Sequence, residues 1–224
     1  MGGVLGRWLR WVSVGELLGF CVPTAVFALT VALGVPDLLV LPAMVLGGLG
    51  EGLVLGWSQS RVLREVLPVP ARRWTVATGV GGAVAWALGM APSTFVAVWT
   101  TWPVVVIVLV GAVIGLALLL SIGLAQWTVL RRHLARARWW VLATALAWGV
   151  GLGVFGAVTS PLWRPGQGLP LVIAIGLLGG ALMAVSMAAT TGVALRELLR
   201  RQVLDAPAAP EPERGAQTAP GNPS

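Results

Sequence analysis

The sequence predicts an all-α integral membrane bundle, six transmembrane helices built as three repeated helical hairpins. Its composition is the first reason: 57% of the 224 residues are hydrophobic, 10% are charged and the mean hydropathy is +0.89, outside the range of soluble globular chains. The second is that the charges gather between long apolar runs. The third is a recurring pattern. Gly56, Gln59, Val62, Leu63 and Arg64 have the same mutual spacing as Gly123, Gln126, Val129, Leu130 and Arg131, and Ala188, Thr191, Ala194, Leu195 and Arg196 form a weaker third copy. Successive copies lie roughly 65 residues apart, as repeated structural units do. Gly48, Gly115 and Gly180 precede the three copies at one spacing, and the pairs Arg10–Trp11, Arg73–Trp74 and Arg138–Trp139 open three apolar runs.

In chain order, Arg7 and Arg10 precede a first span over residues 11–34, long enough to cross a hydrocarbon core of about 30 Å. Its length and the lack of a small-residue cleavage site before Asp37 favour a retained helix over a signal peptide, and Pro23 is expected to kink it. A tight turn at Gly34–Asp37 leads to the second span, 38–60, which ends at Arg61 and Arg64. After a polar link with Pro68, Pro70, Arg72 and Arg73, the third span covers 74–90. A loop over 91–102 follows, and Pro103 suits the first turn of the fourth span, 103–127. Arg131, Arg132, Arg136 and Arg138 fill the next link before the fifth span, 139–159. A loop rich in proline and glycine leads to the sixth span, 171–195, followed by Arg196, Arg200 and Arg201. The bundle thus occupies 1–202. The tail, 203–224, rich in Ala, Pro and Glu without apolar periodicity, is expected to be disordered and cytoplasmic.

Six spans place both termini and both arginine-dense links on one side, opposite a side that carries only Arg164 and Asp37. The positive-inside rule makes the arginine-rich side cytoplasmic. The formal charge of +7 is therefore read as orientation and attraction to anionic lipid head groups, with no nucleic-acid partner. Tryptophans fall near the boundaries: Trp8, Trp11, Trp57, Trp74, Trp127, Trp139 and Trp140 at the inner one, and Trp99, Trp102 and Trp163 at the outer, all read as interfacial anchors.

Small residues mark where helices approach closely in lipid. Gly48, Gly52 and Gly56 form a stripe at steps of four on the second span, and Gly176, Gly180, Ala184, Ala188 and Gly192 form one on the sixth. The fourth carries Gly111, Gly115 and Gly123, interrupted by Leu119. These stripes predict that the second, fourth and sixth spans pack at the centre, with the odd spans outside.

Glu51 is the sharpest candidate for chemistry. It stands roughly 20 Å along the helix from Arg64, well inside the hydrocarbon layer, where an ionisable group needs a proton, a cation or a hydrogen-bonding neighbour. Leu118 and Met183 hold its place in the other copies, so the acid is not a symmetric ring. Glu16, little more than a turn past Trp11, is expected to reach back to the interface and meet water or Arg10. Gln59 and Gln126 occupy equivalent places. They are expected to bond between helices for about 1 kcal/mol or to line an inner vestibule, with Thr191 as the third copy's shorter counterpart. His133, lone among arginines, is a poor metal ligand, and Cys21 is the single cysteine. No metal or cofactor is expected, and neither a nucleophile, base and acid set nor a phosphate-binding glycine loop is present in the sequence.

Residues 123–151, GLAQWTVLRRHLARARWWVLATALAWGVG, resemble the recurring core of uncharacterised bacterial multispan membrane proteins that carry a glutamine and tryptophan before a leucine–arginine pair. In the upstream copy Ser60 replaces that tryptophan. The resemblance implies a bacterial inner-membrane protein and brings no activity with it. The expected function is a non-enzymatic accessory or scaffold component that engages lipid or another membrane protein. The alternative is a small transporter or channel using Glu51.

Overall fold

The computed structural model describes residues 2–205, of which 85% are helical, with no strand among them. The helices are α1 (Gly2–Ala32), α2 (Asp37–Val66), α3 (Ala71–Thr94), the short α4 (Val96–Trp99), α5 (Val104–Leu130), α6 (Arg138–Thr159) and α7 (Leu169–Leu204). All but α4 are long and apolar enough to cross a membrane, six among the described residues.

Most of these helices outrun the expected spans, because arginine is a good helix former and several flanks continue the helix, although the α5–α6 link, 131–137, breaks it without proline or glycine. α1 includes Arg7 and Arg10, α2 carries on through Arg64, and α7 runs to Leu204, past the point where the tail was expected to begin. The rest of that tail, 206–224, lies outside the described residues. α2 follows Pro36, α3 follows Pro70 and α5 follows Pro103, so that Pro103 caps the helix from outside its first turn. The turn between α1 and α2 depends on Gly34 at φ 60°, in the left-handed region that ends many helices. Its neighbour Val35 donates its amide back to the Thr30 carbonyl at 2.9 Å, closing that last turn.

The long helices form a closed ring in the order α1, α2, α3, α5, α6, α7, with α7 packing on α1. The expected central trio is thus not found. The small-residue stripes are used, but each faces the next helix round the ring. A Cβ on Gly52 would lie 2.5 Å from the Thr78 carbonyl oxygen of α3, and one on Gly123 would lie 3.0 Å from the Val141 backbone of α6. Gly48 and Gly56 also face α3, against Trp86 and Thr78, and Gly180 faces Phe20 and Leu17 of α1. Ala184 and Ala188 are buried on the same stretch of α7. Gly115 departs from the pattern, with nothing within 4 Å of the place its Cβ would take. Small residues let a helix approach whichever neighbour presents a matching flat face, and here that neighbour is adjacent in sequence or closes the ring.

The packed core sits at one end, the end that carries the arginines. Its buried cluster joins Trp8 and Val12 of α1, Val62 and Leu63 of α2, Trp74 of α3, Leu130 of α5, Trp140 of α6 and Leu195 of α7. On α5 the buried residues are Ile122, Gly123, Gln126 and Leu130, all towards this end, while the half from Val104 onward lies open.

Candidate functional site

Three tryptophans close the ring at the arginine-rich end. Trp8, Trp74 and Trp140 stand about 66 residues apart, each with no exposed surface. The Trp8 and Trp140 rings meet edge to face with centroids 5.9 Å apart, and those of Trp74 and Trp140 are 6.1 Å apart. Each indole N–H donates to a side chain on the helix before it in the ring: Trp74 to Gln59 Oε1 at 3.1 Å, Trp140 to Gln126 Oε1 at 2.8 Å, and Trp8 to Thr191 Oγ1 at 3.0 Å. Gln126 also spans the axis, its Nε2 donating to Gln59 Oε1 at 2.8 Å and to Thr78 Oγ1 at 3.0 Å. The glutamines expected to bond between helices therefore do so. Their partners include tryptophans that the sequence suggested were interfacial anchors.

That correction divides the inner tryptophans into two sets. Trp11, Trp57 and Trp139 face outward, and arginines cover them: Arg61 lies 4.5 Å from the Trp57 ring centroid and Arg138 lies 6.0 Å from that of Trp139. Trp8, Trp74 and Trp140 face the axis. The Arg–Trp pairs that open the apolar runs obscured this, because Trp11 and Trp139 follow arginines but belong to the outward set. The constant interval between Trp8, Trp74 and Trp140 was the signal that separates them.

About two turns beyond Trp8 on α1, further from the arginines, lies Glu16. Trp8, Val12 and Glu16 follow one another at steps of four on α1, so that burying Trp8 carries Glu16 into the interior, where it is 1% exposed. It does not reach back to Arg10, as expected from sequence. Glu16 lines a void of about 10 Å³, the room needed for about one water, with Gln59, Thr144 and Thr191 among its neighbours. Neither Glu16 carboxyl oxygen nor Thr144 Oγ1 has a hydrogen-bond partner among the described residues.

Beyond this void Leu55, Ile122 and Trp148 form a shared wall, and on its other side opens a cavity of about 270 Å³ to which all six long helices contribute. Glu51 lines it, 5% exposed, and accepts a hydrogen bond from Trp86 Nε1 at 2.6 Å. Its aliphatic stem lies against Gly19 of α1, where an added Cβ would approach Glu51 Cγ to 3.4 Å. The remaining lining is apolar or aromatic, including Phe20, Leu118, Trp148, Leu152 and Met183. Among the described residues Glu51 is thus the one ionisable residue lining the cavity, with Trp86 and Trp148 beside it. Sequence reasoning found Glu51, but not Trp86 or Trp148, because neither sits in the repeated pattern and a lone tryptophan in an apolar run gives no indication of the direction it faces.

Gln59 and Gln126 do not share the cavity with Glu51; the Leu55 and Ile122 layer lies between them. His133 lies at the arginine-rich surface, and no group of three or more His, Cys, Asp or Glu side chains is placed to hold a metal among the described residues.

No family model, curated protein or solved structure matches this chain.

Proposed function

We propose that this is a multi-pass protein of the bacterial inner membrane, its six long helices spanning the bilayer as three copies of one hairpin and both termini cytoplasmic. The length and apolarity of the helices support insertion, and the gathering of arginines at one end of the ring supports the orientation. The like placement of Trp8, Trp74 and Trp140 and of their acceptors supports the repeat. The inner-membrane assignment follows the resemblance of residues 123–151. Reporter tags placed after residues 68 and 134 test the topology. Both are expected on the cytoplasmic face, and tags on opposite faces would overturn the hairpin triplet.

Within that frame the ring binds a small monovalent organic cation at Glu51. The observation behind this reading is the placement of one carboxylate on the wall of an otherwise apolar cavity lined by every long helix. An apolar, aromatic wall favours a ligand with hydrocarbon substituents, and a single desolvated carboxylate favours one positive charge. Binding rather than catalysis suits the site, since among the described residues no second titratable group lines the cavity to act on what Glu51 holds. Equilibrium binding of radiolabelled tetraethylammonium to the purified protein tests the proposal. Saturable binding should weaken at least about tenfold in Glu51→Gln, which loses a charge-assisted contact. Wild-type protein without saturable binding, or a Glu51→Gln variant that binds equally well, would refute it.

A scaffold role is the second reading, and the closed arginine-rich end favours it, because three interlocked indoles leave no passage there. Absence of saturable cation binding together with co-purification of a membrane protein that is indifferent to Glu51→Gln would select it.

A further inference from the structure

Where each hairpin's flanking segments meet at the arginine-rich end, the three copies differ in charge. On the repeat register proposed above, Glu65, Arg132 and Glu197 hold one position, and Arg7, Arg73 and Trp139 another. In the first copy Arg7 Nη2 lies 2.7 Å from Glu65 Oε2. In the third, Glu197 is engaged by Arg200 at 2.9 Å and Arg201 at 2.6 Å. In the second, an arginine stands where the other two have an acid, and the local balance of charge is lost.

The consequence is a depression of about 710 Å³ between α3 and the end of α5, walled by Arg72, Arg73, Arg131, Arg132 and His133. No acidic side chain lines it, and none of the four arginines forms an ion pair among the described residues. Val76, Ala77 and Val129 line it beside the basic groups, where the link joins the apolar helices. Arg131 is held at this level by its guanidinium, 4.8 Å from the Trp127 ring centroid.

We propose that this depression binds the head group of an anionic phospholipid, whose phosphates supply the negative charge that Glu65 and Glu197 supply in the other copies. Guanidinium groups present paired N–H donors that match phosphate oxygens, and four of them from two links suit a head group with two phosphates, as in diphosphatidylglycerol. The apolar residues beside the arginines select a lipid over free phosphate, since only the lipid brings hydrocarbon to that edge. The lipid as source rests on the membrane reading above.

The test uses the full-length protein in phosphatidylcholine nanodiscs with and without diphosphatidylglycerol, scoring the lipid retained on extraction into a neutral detergent by native mass spectrometry. Wild-type protein is expected to retain diphosphatidylglycerol in preference to phosphatidylcholine. Arg132→Glu recreates the acid of the first copy beside Arg73, so it should keep its helical content and melting temperature while retention falls roughly thirtyfold, as expected for reversing one charge near the surface. Arg72→Gln should weaken retention less. Undiminished retention by Arg132→Glu overturns the proposal. So does displacement of the lipid by equimolar inorganic pyrophosphate, which would make the site a reader of soluble phosphate. Retention by the Glu211→Gln, Glu213→Gln double variant but not by wild type also overturns it, by showing that the chain's own tail competes for the site. A protein that enters the nanodisc and ignores lipid contradicts this inference alone, whereas one that does not enter contradicts the membrane reading as well.

Discussion

The two ends of the ring are built from the same helices but are packed differently. At the arginine-rich end, indoles, amides and hydroxyls bond each helix to a neighbour, Gln126 reaches across the axis to Gln59, and the buried rings of Trp8, Trp74 and Trp140 close the end. Towards the other end the same helices leave a 270 Å³ cavity around Glu51, and glycines such as Gly111, Gly115, Gly149 and Gly153 face open space. The difference teaches that the small-residue stripes do not act alone. In lipid, apolar side chains gain little by leaving one hydrocarbon environment for another, so helices stay together where polar groups can bond or where backbones can touch. The arginine-rich end has both. The far half of α5 has neither, and it stands away.

Substitutions that exchange the two conditions should break or sharpen this contrast. The largest effect is expected at Gly52, whose α-carbon faces the α3 backbone. Gly52→Val would force side-chain atoms onto the Thr78 carbonyl and part α2 from α3, with a loss of about 3 kcal/mol in a detergent unfolding titration. Gln126→Leu should cost about 2 kcal/mol in the same titration, because the Trp140 indole N–H loses its acceptor in the interior. Equal stability of Gln126→Leu and wild type would mean that shape alone closes the end. The smallest effect is expected at Gly115. Gly115→Ala meets no neighbouring atom, so the helix preference for alanine should leave stability unchanged or raise it by up to about 1 kcal/mol. If Gly52 and Gly115 tolerated alanine alike, the proposed difference between the two ends would be lost.

Much of this arrangement is legible in the chain. Six long apolar helices and the arginine clustering follow from composition and spacing, which depend only on local sequence. The bonding of Gln59 and Gln126 was readable because a polar amide in an apolar run must find a partner. What the sequence hid was direction. A stripe of glycines identifies a face but not the helix it meets, and both the sequence neighbour and the spatial third helix satisfy the same pattern. Direction likewise decided Glu16: its distance from the interface suggested contact with Arg10, but its register with Trp8 on the helix turns it inward. Trp86 reveals itself only through its contact with Glu51, a pairing of residues 35 apart that no local spacing encodes.

The axis is closed at the arginine-rich end, and the cavity around Glu51 lies beyond that closure. In a background with Cys21→Ser, single cysteines at Leu118, on the cavity wall, and at Leu130, among the packed indoles, place one probe on each side of the proposed barrier. A membrane-impermeant maleimide applied to oriented vesicles should modify Leu118→Cys from the face opposite the arginine links and leave Leu130→Cys untouched from either face. Modification of Leu130→Cys from the arginine side, with Leu118→Cys protected, would contradict the account.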